Sequence, residues 1–221
     1  MRSIVFDLDG TLADTSGDLV AAANVCFRQM GAGDVLCATT DAGTALCGGR
    51  AMLTLGLERL GRVLDPVVLD QYYPVLLDAY AADIDTCTVF YPGALDAVEA
   101  LKMAGFKVAI CTNKPENLAR LLLTRMGALD LFGALIGADT LLVRKPDPEP
   151  LREAARRAGG DPARCLLVGD TITDHTTARA AGVPSVLVTF GPNGGNVAAL
   201  RPDALLHDFA DLPAAAQRLL A

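Results

Sequence analysis

Short apolar runs separated by helical patterns dominate the second half of the chain, and a further short apolar run lies near residue 1. The runs at residues 4–6, 108–111, 134–136, 165–168 and 185–188 predict buried strands. Between the later runs, apolar residues recur at helical spacing, as at Leu118, Leu122 and Met126. Strands that alternate with helices predict an α/β fold in which a parallel sheet is covered by helices on both faces.

The stretch from residue 15 to about residue 88 departs from this alternation, because helical patterns follow one another there without a strand. Leu19, Ala23 and Phe27 form one apolar stripe, and Leu53 with Leu57 begins another. Thr15 and Asp18 are spaced like a capping box at the start of the first helix. The sequence therefore predicts an all-helical domain at 15–89, inserted into an α/β core formed by 1–14 and 90–221.

Composition and charge exclude several classes of protein. No apolar run approaches the ~18 residues of a membrane span, which predicts a cytoplasmic protein without a membrane partner. The net charge of −7 argues against a nucleic-acid partner, which calls for a basic surface. The six cysteines form no C-x-x-C motif, so we expect reduced thiols rather than disulfides or zinc. The sequence leaves a monomer and a homodimer both open.

Chemically active side chains follow four of the five predicted strands. The carboxyl ends of parallel strands lie along one edge of a sheet, where ligands bind, so we expect these side chains to meet. Two of them, Asp7 and Asp9, place carboxylates so close together that a cation or a proton must relieve their repulsion. In chain order the set is Asp7, Asp9, Thr112, Asn113, Lys145, Asp170 and Asp174.

This set resembles the four motifs of the haloacid dehalogenase superfamily. The segment Asp7-Leu8-Asp9-Gly10-Thr11 is similar to the first motif, and Thr112 to the second. Lys145 is similar to the third motif, and Gly169-Asp170 with Asp174 to the fourth. The resemblance implies a Rossmann-like core and identifies the helical insert at 15–89 with a small cap domain.

The resemblance also implies a reaction and a role for each residue. Asp7 would attack phosphorus and form an aspartyl-phosphate, while Asp9 would act as general acid and then as general base. Thr112 and Asn113 would donate hydrogen bonds to the phosphoryl oxygens, and Lys145 would offset negative charge.

A magnesium ion is implied as the cofactor. Carboxylate and carbonyl oxygens are the ligands that Mg²⁺ prefers. Asp7 and Asp170 would supply side-chain oxygens, and Asp9 its backbone carbonyl. Asp174 would hold a metal-bound water or orient the metal's surroundings.

Other stretches resemble the phosphoglycolate phosphatase branch of the superfamily. In that branch the cap selects the leaving group, so the implied substrate is a small anionic phosphate ester, 2-phosphoglycolate. Gly49 lies in a glycine pair that would let the backbone approach a ligand, and Arg50 would pair with the substrate carboxylate. The supporting stretches are 6–15, 91–93, 111–115, 145–150 and 189–193.

Several alternatives remain open at the level of sequence. Dehalogenases lack the second aspartate, which this chain keeps as Asp9, and phosphonatases use a cap lysine, whereas residues 15–88 contain none. Pyrophosphate, sugar phosphates and nucleotide 5′-monophosphates remain as substrates, and a β-phosphoglucomutase would share all four motifs. A phospho-acceptor switch protein is the alternative from a different class.

Overall fold

The computed structural model describes residues 1–192 and 194–221, so Asn193 of the 189–193 stretch lies outside the described residues. The strands are β1 (Ser3–Phe6), β2 (Ala13–Asp14), β3 (Val89–Phe90), β4 (Lys107–Cys111), β5 (Ala134–Ile136), β6 (Cys165–Gly169), β7 (Ser185–Val188) and β8 (Ala204–Leu206). A parallel sheet in the order β5-β4-β1-β6-β7-β8 confirms the predicted α/β fold. The two short strands β2 and β3 pair with each other.

The helices of the described residues cover the sheet or follow one another in the insert. Among them, none is long and apolar enough to cross a membrane. They are α1 (Ser16–Gln29), α2 (Ala38–Ala45), α3 (Gly49–Arg59), α4 (Pro66–Ala82), α5 (Ala94–Met103), α6 (Glu116–Arg125), α7 (Glu149–Arg157), α8 (Ile172–Ala181) and α9 (Leu212–Leu219).

Strand β1 lies at the centre of the sheet and is buried on both faces. Val5 belongs to a core cluster with Leu151 and Ala154 of α7, while Ile4 and Phe6 point to the other face and are equally buried. The register pairs Phe6 with Ile110 of β4 and with Val168 of β6. The residues that follow these three strands therefore emerge side by side at one edge of the sheet.

The chain divides into two compact units. One comprises Met1–Asp14 and Phe90–Ala221, and the other is Thr15–Val89. In the helical unit, α1 packs against α2, α3 and α4. The packing of α3 on α1 is close, because a Cβ on Gly56 would lie 2.0 Å from the Phe27 ring. The unit therefore has an apolar core of its own.

Several local features of the structure differ from the predictions or go beyond them. The sequence predicted neither α2 nor the short strands β2, β3 and β8. It also predicted a capping box at Thr15, and this was wrong: the Thr15 side chain does not cap α1. The buried Asp18 carboxylate instead accepts hydrogen bonds from the backbone N–H groups of Cys87 and Thr88 at 2.8–3.0 Å. It therefore binds donors that are distant in sequence rather than the start of its own helix.

Candidate active site

The first strand delivers Asp7 and Asp9 into a tight turn. Asp7 follows β1 directly, and its Oδ1 accepts a hydrogen bond from the Leu8 N–H at 2.8 Å. Gly10 adopts a φ of 78°, which a glycine adopts without strain, and the Gly10 N–H donates to the Ala13 carbonyl at 2.8 Å. The turn holds both aspartates at the carboxyl end of the central strand.

Lys145 places a buried ammonium between two carboxylates. Its Nζ lies 3.0 Å from Asp7 Oδ1 and 2.7 Å from Asp174 Oδ1, and its side chain is 2% exposed. The Asn113 amide donates to the Lys145 carbonyl at 3.0 Å. Asn113, predicted as a donor to the phosphoryl group, thus anchors the backbone of Lys145 in this structure.

The start of α8 holds Asp170 and Asp174 together. Thr171 and Asp174 form a capping box, in which the Asp174 N–H donates to Thr171 Oγ1 at 3.4 Å and the Thr171 N–H donates to Asp174 Oδ2 at 3.2 Å. The Thr171 hydroxyl also donates to Asp174 Oδ2, at 2.6 Å. The approach of α8 to the strand end requires a glycine, because a Cβ on Gly169 would lie 2.3 Å from Asp174 Cβ. Asp170 is fully buried, and its Oδ1 accepts from the Thr11 hydroxyl at 3.1 Å. The carboxyl end of β6 is therefore tied to the turn that follows β1.

The site contains a second lysine, Lys114, which was not among the residues predicted from the sequence. The Lys114 Nζ lies 2.7 Å from Asp9 Oδ1, and the lysine side chain is 3% exposed. Thr112, two residues earlier, is also buried, and its Oγ1 accepts from the Lys114 N–H at 3.2 Å. The signal in the sequence was the position of Lys114, directly after the second motif and before α6.

Burial and charge shift the pKa values in this cluster. Burial raises the pKa of Asp7 to about 6, although Lys145 acts in the opposite direction. Burial, followed by the charges of Asp174 and Asp7, raises the pKa of Asp170 well above its ordinary value. Burial alone would lower the pKa of Lys145, but the two neighbouring carboxylates outweigh it and raise that pKa. The site therefore holds a surplus of negative charge.

The chemistry of this cluster fits a divalent cation with oxygen ligands. Carboxylate oxygens of Asp7, Asp170 and Asp174 lie within 4.8 Å of one another. With every group ionised, the two ammonium groups leave a surplus of two negative charges, which one Mg²⁺ would balance. The ionisable groups counted are Asp7, Asp9, Asp170, Asp174, Lys114 and Lys145.

Gly49 and Arg50, also predicted as site residues, belong to the helical unit. Gly49 begins α3, and a Cβ there would lie 3.0–3.3 Å from the Leu76 and Tyr73 side chains. The Arg50 guanidinium lies 2.7 Å from Asp70 and 4.8 Å above the Tyr73 ring. The other predicted site residues all belong to the α/β unit.

Comparison with known proteins identifies the class that this fold and site define. The model of the haloacid dehalogenase-like hydrolase family matches residues 1–182. The chain belongs to this family and is a hydrolase, as the resemblance implied.

Individual relatives are phosphoglycolate phosphatases. The chain is 40% identical to the phosphoglycolate phosphatase of Mesorhizobium japonicum, over 93% of this chain and 90% of the relative. It is 37% identical to that of Caulobacter vibrioides, over 99% and 92%. A crystal structure described as a predicted phosphoglycolate phosphatase from Haemophilus somnus superimposes with a TM-score of 0.82 at 26% identity, covering 96% of each chain.

Proposed function

We propose that this protein is a magnesium-dependent phosphatase that hydrolyses 2-phosphoglycolate to glycolate and phosphate. The observation that carries the proposal is the buried cluster at the carboxyl edge of the sheet, in which Lys145 bridges Asp7 and Asp174 at 3.0 and 2.7 Å. Similarity to phosphoglycolate phosphatases over more than nine-tenths of the chain supports this substrate.

The proposed reaction has two steps at Asp7. A carboxylate oxygen of Asp7 attacks phosphorus, the bond from phosphorus to the ester oxygen breaks, and that oxygen keeps the electron pair. Asp9 gives its proton to the leaving oxygen, which releases an alcohol. Asp9 then takes a proton from a water molecule whose oxygen attacks phosphorus, so that phosphate leaves and the Asp7 carboxylate is restored.

The remaining residues of the cluster bind and orient. Lys145 places its positive charge beside Asp7, where negative charge from the phosphoryl group arrives, and Thr112 would donate to a phosphoryl oxygen. Asp7, Asp170 and the Asp9 carbonyl would hold the magnesium ion. When bound, the ion offsets the repulsion between the carboxylates and the phosphate dianion.

Asp174 contributes to the proposed metal site in a different way. Its Oδ1 already accepts from Lys145, and its Oδ2 accepts from Thr171. We therefore assign it to orienting Lys145 and a metal-bound water rather than to direct ligation.

The helical unit supplies substrate recognition in this proposal. Arg50 would exchange its contact with Asp70 for the carboxylate of the substrate. The contact that it gives up is weak, because the Arg50 and Asp70 side chains are 54% and 66% exposed. Gly49 would allow the backbone to come close to the ligand.

A substrate profile tests the proposed function. Phosphate release from 2-phosphoglycolate is compared with release from pyrophosphate, glucose 6-phosphate and a nucleotide 5′-monophosphate, with Mg²⁺ and then with chelator. We expect the largest kcat/KM for 2-phosphoglycolate and loss of activity on chelation. A rate on 2-phosphoglycolate no better than on the other esters would remove the proposed substrate.

A binding measurement tests the metal site without relying on activity. Mg²⁺ should raise the midpoint of thermal unfolding of the wild-type protein, because it relieves repulsion among the folded carboxylates. The rise should be much smaller for Asp170→Asn, which removes one ligand charge. An equal rise in both proteins would place the ion elsewhere.

A further inference from the structure

Lys114 is a buried cation that the reaction proposed above does not use. Its side chain is 3% exposed, and its Nζ lies 2.7 Å from Asp9 Oδ1, a partner 105 residues away in sequence. A buried ammonium is costly unless it is paired. The fold therefore brings this charge to the carboxyl group that follows the nucleophile by two residues.

The backbone of Lys114 is held on both sides. Its N–H donates to Thr112 Oγ1 at 3.2 Å, and its carbonyl accepts from the Ala138 N–H at 2.9 Å. Next to this contact, a Cβ on Gly137 would lie 2.4 Å from the Glu116 nitrogen, so the two loops approach closely. The lysine stem thus starts from a fixed point, which limits the positions that its ammonium reaches.

We propose that Lys114 is a positioning residue that fixes the orientation of the Asp9 carboxyl group for proton transfer. The inference rests on the proposed function, in which Asp9 is the general acid. The ammonium binds Oδ1 and so sets the plane of the carboxyl group, from which Oδ2 would transfer the proton in the proposed reaction. When the ester bond breaks, the leaving oxygen keeps the electron pair and takes that proton, and the Asp9 carboxylate remains paired with Lys114.

Substrates with different leaving groups separate this role from two others. 2-Phosphoglycolate and ethyl phosphate release an alkoxide, which needs a proton as it leaves. Acetyl phosphate releases acetate, which needs none. A residue that positions the general acid is therefore needed for the first two substrates and much less for the third. A residue that binds the substrate carboxylate would be needed for 2-phosphoglycolate alone.

The experiment measures kcat/KM for these three substrates, with Mg²⁺, in the wild type and in Lys114→Met and Lys114→Gln. A positioned general acid contributes ~10²–10⁴-fold, so we expect both alkyl esters to lose about tenfold or more relative to acetyl phosphate. The ratio of two substrates measured on one preparation does not depend on the fraction of folded enzyme. Lys102→Met is the matched control, because Lys102 is an exposed lysine of the same unit.

A double variant supplies an independent check. In an Asp9→Asn background, Lys114→Met should no longer change the ratio between ethyl phosphate and acetyl phosphate, because the group to be positioned is gone. A change as large as in the wild-type background would overturn the proposal.

Three further outcomes would also overturn it. Equal loss on all three substrates, or unfolding of both Lys114 variants, would assign the residue to stability. Loss on 2-phosphoglycolate alone would assign it to carboxylate recognition.

A wild-type enzyme that hydrolyses ethyl and acetyl phosphate but not 2-phosphoglycolate would instead remove the proposed substrate. The role of Lys114 would then be decided from ethyl phosphate and acetyl phosphate alone.

Discussion

The charged side chains of the site are each held by a partner from a distant part of the sequence. Lys145 contacts Asp7 and Asp174, and Lys114 contacts Asp9. The four motifs allowed the aspartates and Lys145 to be predicted as one set. Lys114 was missed because a lysine after a strand is usually on the surface, and only the three-dimensional pairing with Asp9 reveals its burial.

Replacement of Lys145 tests the electrostatic role of its ammonium. Lys145→Met leaves Asp7 and Asp174 without the cation that bridges them, so we expect kcat/KM to fall by ~10²–10³-fold. Steady-state phosphate release measures the effect, with circular dichroism as the check on folding. A folded variant within threefold of the wild type would contradict the assigned role.

At the scale of elements, the junction of β6 and α8 depends on one small residue. Gly169→Ala would force Asp174 to move, since the new Cβ would lie 2.3 Å from Asp174 Cβ. Because Asp174 also holds Lys145, we expect lower kcat and weaker Mg²⁺ binding, as measured by titration of the activity. Gly195→Ala is the control, because a Cβ there meets nothing within 4 Å. Equal effects of the two substitutions would contradict this account.

The predicted elements and the missed ones differ in their local signals. The five predicted strands are short apolar runs followed by polar motifs, and all five are present. Helix α2 carries Thr39, Thr40 and Gly43, residues of low helix propensity, so its pattern did not indicate a helix. Strand β8 has three residues, of which Leu206 alone is buried, and within the described part of the chain it pairs with β7 alone. Such an element is fixed by pairing rather than by its own composition.

An ion pair between α2 and α3 should make the stability of the helical unit depend on pH. The Arg59 guanidinium donates to both oxygens of Asp41 at 2.6 and 2.7 Å, and these hydrogen bonds lower the pKa of Asp41 to about 2. A pKa lowered by folding stabilises the protein above the unfolded value of 3.8, and this stabilisation is lost as the pH falls toward 2.

Asp41→Asn should therefore lower the thermal midpoint of the protein at pH 7, and the difference from the wild type should shrink steadily below pH 4. Asp34→Asn is the matched control, because Asp34 pairs with Arg28 while both side chains are at least half exposed. A difference between wild type and Asp41→Asn that stays constant from pH 7 to pH 3 would show that the ion pair is not its source.

At the scale of the whole molecule, the overall charge and the summed charge of the site's own side chains are both negative. The net charge of −7 repels an anionic substrate, so attraction must come from local cations or a metal ion. Lys114 and Lys145 supply two buried positive charges in a cluster that remains rich in carboxylates. The sequence indicated this requirement through its charge and its aspartates, whereas the distances that satisfy it depend on the sheet order, which brings four separate strand ends together.

The most direct test of the central claim is to trap and locate the phosphoryl group. The wild-type protein is mixed with 2-phosphoglycolate carrying radioactive phosphorus and Mg²⁺, quenched in acid during turnover, digested, and mapped by mass spectrometry. We expect a base-labile phosphoryl group on Asp7, and neither label nor turnover in a folded Asp7→Asn variant. Label on another residue, or turnover by Asp7→Asn with an unchanged magnesium requirement, would contradict the account.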